Sequence, residues 1–276
     1  MKIKKIYSFS DKRQIWRLLL SDSDKLIIET RDTDKKEVYF HCLDLFSGKK
    51  IFRNFQPDEK YWVSIEAVHE DVIFFHKYAK PDMPDHRFIQ AFDITTKSVL
   101  WESAKYIFMF IDENALYCYE KSITGNQYYI LNYRTGDLIE KLDIDEAGII
   151  ELNHRVSESK DYSNYIFPEK YFLTGTPDIP KNICDIIQPE INLLEIVGPV
   201  EYVVKHDSVF FNFHYREAEK IINKFSVIEI NSGKKIYNEV LNKEVNAYAP
   251  DSFFIYKDLL LYLSEKKEVV VCKLSD

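Results

Sequence analysis

The segment Ala91-Phe92-Asp93-Ile94-Thr95-Thr96-Lys97-Ser98-Val99-Leu100-Trp101 reads as strand, polar turn, strand, with an aromatic residue eight positions after the aspartate. It is not alone. Cys42-Leu43-Asp44-Leu45-Phe46-Ser47-Gly48-Lys49-Lys50-Ile51-Phe52 repeats it, and so does Val227-Ile228-Glu229-Ile230-Asn231-Ser232-Gly233-Lys234-Lys235-Ile236-Tyr237. Ile130 to Glu140 keeps the turn and loses the aromatic, and Ile183-Cys184-Asp185-Ile186-Ile187-Gln188-Pro189 is a weaker copy. The chain closes on Val271-Cys272-Lys273-Leu274-Ser275-Asp276, where another turn is due. The anchors 44, 93, 132, 185, 229 and 273 thus recur every 39–53 residues. The turn chemistry fits a hairpin: glycine at 48, 136 and 233 can take positive φ, and the Ser or Thr before it can bond the backbone.

A second pattern precedes each anchor, in which an apolar run, a short acidic turn and another apolar run follow one another. Trp16–Leu20 with Leu26–Ile28, Ile65–Val68 with Val72–Phe75, Phe108–Ile111 with Ala115–Tyr119, and Tyr165–Phe167 with Tyr171–Leu173 are four copies. Tyr202–Val204 with Val209–Phe213 and Phe253–Tyr256 with Leu259–Leu263 are two more. Two hairpins per repeat give four strands, the content of a propeller blade. The expectation is an all-β chain, a single β-propeller domain over 1–276 of six four-stranded blades, with five or seven as alternatives. The blades fall near 13–56, 60–104, 105–143, 144–198, 199–243 and 244–276 plus 1–9. In this scheme the N-terminal run Lys4–Phe9 supplies the strand the last blade lacks and closes the ring, removing an open edge.

Composition narrows the function. Lys+Arg 37 against Asp+Glu 45 gives a net charge of −8, with a pI near 5.5, which argues against a nucleic-acid footprint. The early apolar run Leu18–Leu20 is too short for a signal peptide, and no stretch reaches the length of a membrane span. Cys42, Cys118, Cys184 and Cys272 form no CxxC pair and sit in apolar runs, so they read as small hydrophobes. A cytoplasmic protein is expected.

Ala91 to Trp101 resembles the repeat of quinoprotein-type (PQQ-like) β-propellers, in which an Ala-x-Asp turn leads through Thr-Gly to a tryptophan packed between blades. Lys97 stands where that glycine is usual, and Phe52 and Tyr237 replace the tryptophan elsewhere. The whole pattern, with Ile65-Glu66-Ala67-Val68 and Lys80-Pro81-Asp82-Met83-Pro84, also looks like an uncharacterised bacterial domain-of-unknown-function family of propeller-like proteins. The first resemblance implies a propeller fold. Its quinone and calcium are not carried over, because quinoprotein dehydrogenases are larger, exported and usually eight-bladed. No cofactor is assigned.

Three connections exceed what the repeat needs: Lys77–Arg87, about 143–164, and Thr174–Asn182, the last stiffened by Pro177 and Pro180. With the four strands of a blade lettered A to D from the axis outward, the D–A and B–C loops of a propeller share one face, so these would rim the channel. The candidate binding residues are Asp82, Asp85, His86, Arg87, His154, Arg155, Glu158 and Asp161. No metal ligand set is assigned, because a metal needs three or four converging donors. His69 and His206 share an A–B turn position, His76 and His214 lie near the ends of B strands, and Glu66 lies in an A strand. No GxSxG or phosphate-cradling glycine loop occurs, and the chain has seven glycines in all. No catalytic residue is assigned. The expected function is a non-enzymatic binding or scaffold module acting through its loop-rich face, with a protein or small-molecule partner, neither nucleic acid nor membrane, as a monomer or weak homodimer. The alternative is a metal-dependent hydrolase or lactonase-like propeller with its ligand site at the channel.

Overall fold

A computed structural model describes the chain except residues 81–82, 124, 174–178 and 276 and the side chains of 79–80 and 83–84. Strand β1 (Lys2–Ser10) is followed by β2 (Gln14–Leu20), β3 (Lys25–Asp32), β4 (Glu37–Asp44) and β5 (Lys50–Phe55), which form an antiparallel sheet in that order. A second sheet holds β6 (Val63–His69), β7 (Val72–Lys80), β8 (Met83–Asp93) and β9 (Ser98–Ser103). A third holds β10 (Ile107–Asp112), β11 (Ala115–Ser122), β12 (Gly125–Asn132) and β13 (Leu138–Leu142). Then come α1 (Glu146–Ser159), β14 (Tyr165–Ile166), β15 (Glu169–Tyr171), α2 (Lys181–Ile191) and β16 (Glu195–Ile196). The strands β17 (Val200–Lys205), β18 (Ser208–Glu217), β19 (Lys220–Glu229) and β20 (Lys235–Val245) build a fourth sheet, with β15 added at β17 and β16 pairing β18. The fifth sheet runs β1, β23 (Glu268–Ser275), β22 (Leu259–Ser264), β21 (Phe253–Tyr256), β14.

The all-β class therefore stands, but the closed six-bladed propeller does not. The strands form separate antiparallel sheets of four to six strands, and the chain divides into two compact units, Arg13–Asp161 and Met1–Lys12 with Tyr162–Asp276. The expected fourth blade, 144–198, is overturned most plainly, since α1 and α2 occupy much of it. The apolar residues there follow a helical period. Ile183, Ile187 and Ile191 recur every four residues and bury one stripe of α2. The fourth repeat anchor, Asp185, thus lies on a helix. In α1, Asp145 caps the first turn by accepting from Gly148 N–H at 2.8 Å, and Ile149 and Val156 face inward. The expected hairpin at 165–173 is split as well: β14 pairs β21, whereas β15 pairs β17.

The repeated turns form as their chemistry requires. Asp44 accepts from Ser47 N–H, Asp93 from Thr95 and Thr96, and Asn132 from Arg134 and Thr135, all between 2.7 and 3.0 Å. Each is an Asx turn that reverses the chain. Gly136 sits there at φ +74°, and a Cβ on it would come within 2.6 Å of the Trp101 ring, so both backbone and packing demand glycine. At the matching place in the second sheet Lys97 itself takes a left-handed φ of 58°.

The unit of residues 13–161 packs in layers. Ile27, Val38, Phe40, Cys42 and Phe52 of the first sheet meet Val63, Ile65, Ile73, Phe75 and Phe92 of the second. Phe74 and Ala91 of the second meet Leu116, Cys118, Tyr129 and Leu131 of the third. Trp101 bridges the same two sheets, its Nε1 donating to the Tyr133 carbonyl at 2.8 Å. Burial pushes the Cys42 and Cys118 thiols up to about 12, as expected of cysteines acting as core residues. In the other unit, α2 packs on Val200, Tyr202, Phe211 and Phe213 of the fourth sheet. The opposite face of that sheet, with Val203, Phe210, Phe225 and Val227, covers Phe253, Ile255, Leu260 and Val270 of the fifth. Among the described residues no helix is long and apolar enough to cross a membrane.

The N-terminal strand does lie along the last strand, paired from Lys2 opposite Ser275 to Ser10 opposite Glu268 with one register step between Lys5 and Tyr7. What it completes is the edge of one sheet within its own unit. Deleting residues 1–10 strips that edge and removes Phe9, which is 5% exposed. The expected result is a fall of roughly 5–10 °C in the thermal midpoint, with easier aggregation through the bared β23. An unchanged midpoint in a melting scan would show that β1 contributes nothing.

Candidate metal centre

Regular strand pairing sends successive side chains to opposite faces, and counted from the pair His69–Val72 a regular ladder would set Glu66 opposite Phe75, one place from His76, so these two donors meet through a break in the ladder. The second sheet has two such breaks close together. Between β6 and β7 the register steps at Glu66, which has no partner between the pairs Ile65–Phe75 and Ala67–Phe74. Between β7 and β8 it steps again, from Phe75–Gln90 to Lys77–Arg87, skipping His76 on one strand and Phe88 and Ile89 on the other. Phe88 takes a φ of 69°, unusual for a bulky side chain, and so marks the irregularity. His86 lies opposite Tyr78, on the face that His76 shares.

These breaks bring Glu66, His76 and His86 together, with one potential ligand atom from each lying within 4.8 Å of the others. Glu66 Oε2 is 2.6 Å from His76 Nδ1 and 2.9 Å from His86 Nδ1. The two imidazoles stack with centroids 3.6 Å apart and planes 10° apart. The Tyr78 ring holds both edge-on, at 5.0 Å from His76 and 5.6 Å from His86. The His76 side chain is 3% exposed, that of Glu66 19% and that of His86 39%, so the group opens to solvent on the His86 side.

The close contacts are ion pairs that fall short of aligned hydrogen-bond geometry, although the imidazoles still act on the Glu66 carboxylate. Glu66 Oε2 and both His76 nitrogens are buried without a hydrogen-bond partner. Unsatisfied buried polar atoms are costly, and three in one spot call for an explanation. Burial pushes His76 below the usual imidazole range against the opposing pull of Glu66, with His86 and Arg17 adding to the fall. Burial also works to raise the Glu66 carboxyl, but the two imidazoles outweigh it and leave it below its usual value. A neutral imidazole and an ionised carboxylate are the forms that bind a metal. Two imidazoles and one carboxylate suit a transition metal such as zinc rather than magnesium or calcium, which prefer all-oxygen sites. Stacked rings hold their Nδ1 atoms side by side against Glu66 Oε2, so a shared ion requires loss of any Nδ1 proton and a tilt of one ring, and His86 is the more exposed of the two.

Of the residues singled out in the sequence, His86 belongs to this group. Asp85 and Arg87 lie beside it on β8, not on a loop, because 77–87 is mostly strand. Asp85 is held by Lys121, whose Nζ is 2.7 Å from both carboxylate oxygens. Arg87 is exposed. Asp82 lies outside the described residues, as does most of 174–182. His154, Arg155 and Glu158 stand on the outward face of α1, where His154 Nδ1 is 3.4 Å from Glu158 Oε2, one helical turn away. Asp161 follows α1 and is exposed. Those four do not join the Glu66 cluster. Sequence reasoning passed over Glu66 and His76 as ligands. Their signal was hairpin arithmetic: about the turn at 69–71, Glu66 and His76 fall at nearly opposite positions.

Residues 20–101 match the model of a family described as a domain of unknown function (DUF4905), a stretch that contains Glu66, His76 and His86. This agrees with the likeness to an uncharacterised domain family and gives no support to the quinoprotein-type one. No curated protein matches the chain. Among solved structures, the uncharacterized protein lmo1340 from Listeria monocytogenes EGD-e is 13% identical, over 96% of this chain and 85% of that one, at a TM-score of 0.33. A score that low carries no argument about fold.

Proposed function

We propose that this chain is a non-enzymatic binding module whose binding centre is a divalent transition-metal ion held by Glu66, His76 and His86. The observation that supports it is the convergence of three donor side chains, of which Glu66 and His76 present buried atoms without a hydrogen-bond partner. The alternative, a metal-dependent hydrolase, would use the same ion to activate water. It needs a base beside that water. Glu66 is spent as a ligand in this reading, and neighbouring Asp85 is tied to Lys121, so the geometry favours binding.

Titration calorimetry of the purified chain with Zn²⁺ is the test. One ion per chain is expected, at micromolar affinity or tighter. Losing a ligand should cost more than losing a supporting group, which typically costs 10–100-fold, so His76→Ala should weaken binding by at least about a hundredfold. His154→Ala, on α1, should leave it unchanged. Binding that His76→Ala and Glu66→Ala do not weaken would end this reading.

A further inference from the structure

Three protein donors leave a tetrahedral ion with one open position. Charge decides what fills it, and this step rests on the metal reading above. A divalent ion against the single Glu66 carboxylate keeps a positive charge in the centre. Arg17 adds another. It reaches from the first sheet, beside a register step in β2, and its Nη1 donates to the carbonyl of Ile65, the residue before Glu66. A guanidinium carries five N–H donors, and the Ile65 carbonyl takes one.

The nearby carboxylates are already paired and do not offset this surplus: Glu29, bonded by Ser64 opposite His76, holds Arg31. Asp85, next to His86, is neutralised by Lys121 at 2.7 Å. Tyr119, which senses both Glu66 and Asp85, is held in its neutral form chiefly by burial. The opening on the exposed side of His86 gives a solute access. A partly buried centre with excess positive charge attracts an anion, and a guanidinium matches the paired oxygens of a carboxylate or phosphate.

We infer that the ion's open position takes an oxygen of a small oxyanion, a carboxylate or phosphate group, with the Arg17 guanidinium as its second anchor. The module would then recognise an acidic ligand through metal and arginine together.

The test uses the full chain loaded with Co²⁺, whose visible spectrum reports its coordination. Acetate and inorganic phosphate are titrated separately at constant ionic strength, with chloride as the control. Expected is a saturable spectral change with one or both oxyanions and none with chloride, and calorimetry showing neither oxyanion on the metal-free chain. Response to phosphate alone marks a phosphate ligand, and response to acetate alone a carboxylate. At saturating Co²⁺, Arg17→Gln should weaken the oxyanion by about tenfold or more, and Arg17→Lys, which keeps the charge, should recover part of that. A Co²⁺ spectrum indifferent to both oxyanions, or equal affinity in Arg17→Gln, overturns the inference and leaves the metal reading standing. Failure of Co²⁺ and Zn²⁺ to bind at all overturns both.

Discussion

Replacing Glu29 with alanine is expected to destabilise the unit of residues 13–161 by about 3–5 kcal/mol, the usual cost of breaking a buried ion pair from one side. Glu29 is fully buried, and Arg31 is 6% exposed. Arg31 Nε donates to Glu29 Oε1 at 2.7 Å, and Ser64 Oγ donates to Oε2 at 2.8 Å. The remaining guanidinium donors bond the carbonyls of Tyr61 at 3.1 Å and Val63 at 2.8 Å. The Trp16 and Tyr61 rings cover it at 5.3 and 5.4 Å. With Glu29 gone, a cation stays buried without its counter-charge, and Ser64 loses its acceptor. Denaturant unfolding at neutral pH measures the loss. The pair Glu29→Leu with Arg31→Met should recover much of it, because two matched apolar residues leave no orphan charge. If Glu29→Ala costs less than about 1 kcal/mol, Arg31 reaches water and the buried network is not a structural element.

That network also explains why the candidate metal centre sits where it does. Arg31 and Glu29 pin the start of β6 to the first sheet, and Ser64 lies opposite His76 in the ladder. With the strand fixed at 63–64, the register step at Glu66 can rotate one carboxylate inward without fraying the strand. A supporting shell of this kind is what a metal centre needs to hold its ligands in place.

Much of the strand structure was legible in the sequence because it is written in local chemistry. Asp44, Asp93 and Asn132 accept from the backbone two and three residues on, so a turn signature at those positions is a physical cause and not a correlation. The apolar alternation on either side then fixes which faces are buried. The segment 144–198 misled for a definable reason. Ile183, Ile186, Ile187 and Ile191 satisfy a strand reading over three or four residues, and only the longer spacing of 183, 187 and 191 shows a helix. Counting blades from repeats failed in the same way, because a hairpin repeat specifies four-stranded sheets locally and says nothing about whether they close into a ring. The candidate centre was hidden for the opposite reason. Glu66 and His76 come together through breaks in the period-two pattern, and a reader of alternation places them on different faces. His86 was noticed as a loop residue, although it lies on β8.

His214 supplies the second large effect, in the unit of residues 1–12 and 162–276, where it should make stability depend on pH. The side chain is fully buried on β18. Its Nε2 accepts from Ala249 N–H at 3.3 Å, its Nδ1 has no partner, and the Tyr248 ring lies 4.9 Å away. Burial pushes its pKa down to about 4, against about 6.5 for an unfolded chain. Between those two values the unfolded chain binds the proton and the folded one does not, so stability falls as pH falls. The contribution is whole above about pH 6.5 and is lost progressively down to about 4. The slope cannot exceed about 1.4 kcal/mol per pH unit, and the full window amounts to roughly 3 kcal/mol. Unfolding free energies from pH 7.5 to 4, compared with those of His214→Leu, isolate the term, since every other titratable group is present in both proteins. The variant should be less stable at pH 7.5, because Ala249 loses its acceptor, and the two curves should approach as the pH drops. Parallel curves would mean that His214 takes up its proton without unfolding, through water reaching Nδ1, and that its burial imposes no penalty on the charged form.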